Sequence, residues 1–153
     1  MKKLTMILAA LAMTMSLVAC GGGEEKVTEI DVVALANRLV TEVTYTEELQ
    51  EDDVENYFFS IEEGVTGIAY MSAGFSGEEV VIFTAPDEET AKTTKEMVEG
   101  FLAEQSTTMA PYAPDAVERI DNAVLVQKGN YVILCVSEDS EKAEEIIKEA
   151  FGE

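Results

Sequence analysis

The sequence predicts an α+β domain with a mostly antiparallel four-stranded sheet, built from two hairpins and packed with helices, in the order α-α-β-β-α-β-β-α. Three observations predict it. Apolar residues recur at helical spacing in both the first and the last stretch of the acidic region. Two pairs of β-rich runs are each joined by short Gly-containing turns. A long helical pattern that opens at Pro86-Asp87 separates the two pairs.

The first helix is expected over 28–43, where Ile30, Val33, Ala34, Leu39 and Val40 form an apolar stripe and Thr28 with Asp31 resembles a capping box. A short second helix is expected over 52–60, presenting Val54, Tyr57, Phe58 and, just beyond it, Ile61 to a core. Strand character begins at Val65 and runs to Ala73. Gly74-Phe75-Ser76-Gly77 is turn material, and the return strand covers 79–84. The long helix runs from 86 to about 109, with Ala91, Met97, Val98, Phe101, Leu102 and Met109 as its apolar set. Pro111 and Pro114 end it, with room for a helical turn at 115–119. The second hairpin joins 122–127 to 131–137 through Lys128-Gly129-Asn130, and the last helix covers 141–151. The second half thus echoes the first as hairpin, polar cap and helix, which is either a duplicated ββα unit or the pattern that any hairpin-helix pair produces. The runs 123–126 and 131–136 do not alternate, so both strands are expected to be central, with the amino-terminal helices on one face and the two later helices on the other.

This domain is expected to span 30–153, behind a leader of opposite character. The chain has 153 residues and a formal net charge of −21, yet all of its 31 acids lie after Gly23. Met1-Lys2-Lys3 opens a 15-residue apolar run, 4–18, too short for the roughly 20 residues that span a bilayer. A basic start followed by a short apolar stretch is the layout of an export signal. The run ends in Leu17-Val18-Ala19-Cys20, followed by three glycines. This resembles a bacterial lipobox. The resemblance implies a signal peptide over 1–19, cleavage between Ala19 and Cys20, and acylation (diacylglyceryl, palmitate-type chains) of Cys20. Two or three acyl chains anchor firmly where one does not. Processing would remove 19 residues, including Lys2 and Lys3, and leave 134 residues with a formal charge of −23. The segment 20–29 is then a flexible tether, whose ten residues reach roughly 17 Å.

Charge and composition narrow the function classes. So acidic a chain lacks the clustered Lys and Arg that nucleic acid requires. With no His, Ser-His-Asp and Cys-His catalysis and His-ligated zinc are excluded. Gly74-Phe75-Ser76-Gly77-Glu78 fails the nucleophile-elbow pattern, since Glu replaces the last Gly and a strand follows. Cys135, within Val132-Ile133-Leu134-Cys135-Val136, is expected to pack as a small apolar residue. The dense acids Glu47, Glu48, Glu51, Asp52, Asp53 and Glu55 lack the Gly of an EF-hand loop and read as a solvated face. No cofactor or metal ligand is assigned. Tyr112, Pro114, Asp115 and Tyr131 are the loop and strand-start residues offered as a binding surface, since Tyr has a ring with a polar tip, the other reading being a Tyr that closes the core edge.

The lipobox, the hairpin-helix order, Tyr112-x-Pro114-Asp115, Ala123 through Gly129-x-Tyr131-Val132 and Ser137-Glu138-Asp139 are together similar to a family of small clostridial lipoproteins, the domain of unknown function four-three-five-eight. The resemblance covers most of 28–151 and implies a surface lipoprotein with no assigned activity. The expected function is a non-catalytic binding or scaffolding module, lipid-anchored on the outer face of the cell membrane. Its partners are the membrane, through Cys20, and a protein or small molecule at the cell surface. A carboxylate-based hydrolase or a weak calcium binder is the alternative.

Overall fold

A computed structural model describes residues 28–153. Its fold is α+β, and its sheet has five strands rather than four. Helix α1 (Val32–Glu42) starts at Asp31, whose side chain accepts from the backbone N–H of Ala34 at 2.9 Å. Thr28 lies three residues before this N-cap, so Asp31 itself supplies the capping side chain. Strand β1 (Leu49–Asp52) is the element the sequence hid. Only Leu49 is buried in it, and Gln50, Glu51 and Asp52 face water. A four-residue edge strand with a charged rim shows no alternation, and those charges discourage pairing with other chains.

The expected second helix is a single 3-10 turn at Val54–Asn56. Asp52 gathers this turn, accepting from the Asp53 N–H, from Asn56 Nδ2 and from Tyr57 Oη. These donors hold its carboxyl below the usual carboxylate range, the Tyr57 hydroxyl contributing most. Strands β2 (Thr66–Ser72) and β3 (Glu79–Thr84) form the first hairpin. Helix α2 (Glu88–Met109) starts at Asp87, which accepts from the Thr90 N–H at 2.8 Å. The expected turn after it is a full helix, α3 (Pro114–Asp121), opened by a proline in its first turn and buried at Ala116 and Ile120. Strands β4 (Val124–Lys128) and β5 (Tyr131–Val136) form the second hairpin, and α4 (Ser140–Ala150) closes the fold, capped by Asp139.

The strand order is β1-β2-β3-β5-β4, antiparallel throughout. Strand β5 is buried at every residue, as its unbroken apolar run predicts. Strand β4 is an edge strand and mostly half-buried, which corrects the central position expected for it. The helix pairing also differs from expectation. One face of the sheet packs α1 and α4, with Leu35, Leu39, Ile146 and Ile147 against Val80, Ile82, Ile133 and Cys135. The other packs α2, α3 and the 3-10 turn, with Val98, Ile120 and Phe58 against Val81, Phe83 and Leu134. Because the second helix shrinks to one turn, α1 takes its companion from the far end of the chain.

This arrangement also decides the hairpin-helix echo. Strands β3 and β5 are antiparallel neighbours. A two-fold axis normal to the sheet would exchange them and leave α2 and α4 on the same face. They lie on opposite faces, so the two halves are not related by that symmetry.

Gly67 of β2 shows how tightly the second core is closed. A Cβ built there would stand 2.8 Å from both the Phe83 ring and Val54. Gly67→Ala is expected to lower stability by about 1–3 kcal/mol through overpacking, measured as the urea midpoint. An unchanged midpoint would show that Phe83 yields freely.

Candidate functional site

Three of the four residues singled out from sequence come together. Tyr112, Pro114 and Asp115 lie at the α2–α3 junction, beside the β2–β3 turn. Tyr112 is 55% exposed and meets Phe75, 70% exposed, edge to face, with ring centroids 5.5 Å apart. The pair borders a depression of about 400 Å³ that also takes in Glu47, Ser76 and Arg119. Tyr131 lies elsewhere. It opens β5 opposite Thr84 and Lys128, while the end of β5 near Arg119 is marked by Glu138. It is buried, with its ring 6.1 Å from Phe151, and closes the core edge on the α1/α4 face.

The depression is shaped by carboxylates that point inward. Glu78 is buried, and its carboxylate accepts from the Thr46 N–H at 2.8 Å, from Thr46 Oγ1 at 2.7 Å and from the Glu47 N–H at 3.1 Å. Glu47 in turn accepts from the Gly74 N–H at 3.0 Å. The loop after α1 is thereby tied to the β2–β3 turn by acids that composition alone would place on a solvated face. Arg119 donates through Nε to the Ser76 carbonyl and through Nη1 to Glu138. Beyond Arg119 lies a polar cavity of about 320 Å³, lined by Asp115, Glu118, Asn122 and Ser137. Ser76 itself is buried, and its Oγ accepts from the Glu78 N–H at 3.3 Å, as befits a turn residue.

Glu79 differs from its neighbour. It is fully buried, and neither carboxylate oxygen has a hydrogen-bond partner among the described residues. Burial alone pushes its carboxyl up from 4.5 to about 8, so it is mostly neutral at pH 7. It borders none of the cavities described, so no substrate reaches it through them. Cys135 is likewise buried, 3.4 Å from Tyr45 Oη, and burial pushes its thiol up to about 11. A thiol held protonated this firmly is a packing group. Among the described residues, no three Asp, Glu or Cys side chains gather as a metal ion would need.

A larger concavity, about 550 Å³, lies between the 3-10 turn and α2. Tyr57, Phe58, Phe59, Met97 and Phe101 wall it, and Glu104 stands at its rim. Phe58 anchors the wall, with its ring 5.2 Å from Phe83 and 4.6 Å from Phe101. Phe59 is 90% exposed. Sequence reasoning sent Tyr57 and Phe58 to the core of a helix and passed over Phe59. The available signals were the three consecutive aromatics and Gly100 in the middle of a long helix.

Ala19 and Cys20, the expected cleavage and lipidation positions, lie outside the described residues. Among the described residues no helix is long and apolar enough to cross a membrane. No curated protein and no solved structure matches the chain. One family does, over residues 40–137, under the description "Domain of unknown function (DUF4358)". The matched stretch contains both hairpins and helices α2 and α3, and hence the whole wall of the apolar groove.

Proposed function

The chain belongs to this family of domains of unknown function, and from that premise, which brings no activity with it, we propose a non-catalytic binding or scaffolding module, held by lipid on the outer face of the cell membrane. The observation that carries the reading is Leu17-Val18-Ala19-Cys20-Gly21-Gly22-Gly23 at the end of an acid-free leader. In this reading residues 1–19 are the signal peptide, 20–29 the acylated tether and 30–153 the working domain. The placement of the exposed aromatics supports a binding role. Phe59, Phe75 and Tyr112 all border concave surface, where large rings contribute most to recognition. So acidic a domain is repelled by anionic lipid headgroups. The membrane thus serves as anchor, and the free surface faces a soluble or surface-borne partner.

Cys20→Ala tests the anchor. The variant is expected to retain its leader and to take up no labelled palmitate in cells, and globomycin should block processing of the wild-type chain. Normal processing together with palmitate labelling of the variant would overturn the reading.

A further inference from the structure

We propose that the groove between the 3-10 turn and α2 binds a small apolar molecule carrying an organic ammonium group. This deepens the binding-module reading and rests on it. A cavity of about 550 Å³ is of small-molecule size. Its wall is aromatic, from Tyr57, Phe58, Phe59 and Phe101, and aromatic faces attract ammonium groups. Acidic side chains stand at and near it. Glu104 lines the groove one helical turn after Gly100, and Glu96 lies one turn before it. Neither glutamate has an ion-pair partner among the described residues.

Gly100 keeps the groove open. It sits inside a 22-residue helix, where glycine is unfavourable. A Cβ at this position would meet nothing within 4 Å. Packing therefore does not require glycine there, whereas a larger side chain would project into the space a ligand would use. Charge also selects among occupants. A second copy of so acidic a domain is repelled, as is an anionic molecule, while a cation is drawn in.

The test uses the full chain in nanodiscs of zwitterionic lipid, with empty nanodiscs as the reference, and three matched probes: phenylbutylamine, phenylbutanol and phenylbutyrate. The protonated amine is expected to bind about tenfold more tightly than the carboxylate, with the alcohol between them. Gly100→Leu should weaken the amine by about tenfold or more while melting no lower than wild type, since leucine favours the helix and has room. Glu104→Gln should cost the amine about threefold and leave the alcohol unchanged. Equal affinity for the three probes, or wild-type affinity in Gly100→Leu, would overturn the proposal. So would a wild-type dimer that Gly100→Leu dissociates without any probe binding, since the occupant would then be a second copy. The Cys20→Ala chain should bind the amine as wild type does, so loss of the anchor and loss of the groove give different results.

Discussion

Glu79→Gln is expected to raise the melting temperature at pH 7 by roughly 6–12 °C and to change it little at pH 4.5. The sign follows from where the proton sits. The folded carboxyl titrates near 8 and the unfolded one near 4.5. Between those values the unfolded chain has released its proton and the folded chain still holds it. Stability is therefore fully present below about 4.5 and declines as pH rises towards 8, by about 1.4 kcal/mol per unit. At pH 7 the loss from this group is roughly 3 kcal/mol. Glutamine keeps the shape and never ionises, so the variant escapes the decline. Other carboxylates titrate in both proteins, and the difference between the two curves isolates Glu79. Parallel curves from pH 4.5 to 8 would show that the buried carboxyl is not neutral.

The adjacent residue should respond with the opposite sign. Glu78→Ala removes the acceptor of three donors, the Thr46 N–H, the Thr46 hydroxyl and the Glu47 N–H. Two backbone donors in a part-buried site then lose a charged partner, at a cost of about 1–3 kcal/mol. Urea denaturation should show a lower midpoint with an unchanged slope. Hydrogen exchange should quicken at Thr46 and Glu47. Glu78→Gln should fall between, because an amide oxygen still accepts while its NH₂ opposes the same donors. Unaltered protection at both amides, with a loss under about 0.5 kcal/mol, would mean that the loop is held by other contacts. The consequence reaches the surface. The same loop carries Glu47, which borders the depression beside Phe75 and Tyr112, so Glu78→Ala should also loosen that rim.

These two glutamates show where sequence reading stops. A Glu-Glu pair at the start of a strand looks like solvated charge. The alternation of a strand sends the two side chains to different sides, and here both sides are covered. The burial of Glu79 was half legible, since the following run Val80-Val81-Ile82-Phe83 already announces a strand without a wet face. The partners of Glu78 were not legible, because Thr46 and Glu47 lie 32 and 31 positions away. The same limit explains β1. Leu-Gln-Glu-Asp has no intrinsic strand pattern, and it becomes a strand because Ser72, Met71, Tyr70 and Ala69 offer it a free edge. It also explains the candidate surface. Tyr112, Pro114 and Asp115 are neighbours in sequence and stay together, while Tyr131 is fixed by the hairpin to the opposite end of β5.

The sequence by itself determined the acidic character of the domain, the two hairpins and the helix starts at Asp87 and near Ser140. These are set by residues within a turn or two of one another: caps, glycine turns and apolar spacing. It also supplied the Leu-Val-Ala-Cys box on which the anchoring proposal rests. The tertiary structure alone decided the fifth strand, the pairing of α1 with α4, the opposite fates of Glu78 and Glu79, and the groove between Phe59 and Gly100. Each of these depends on which distant segment supplies a donor, an edge or an empty space, and burial takes its energetic sign from such partners rather than from neighbours along the chain.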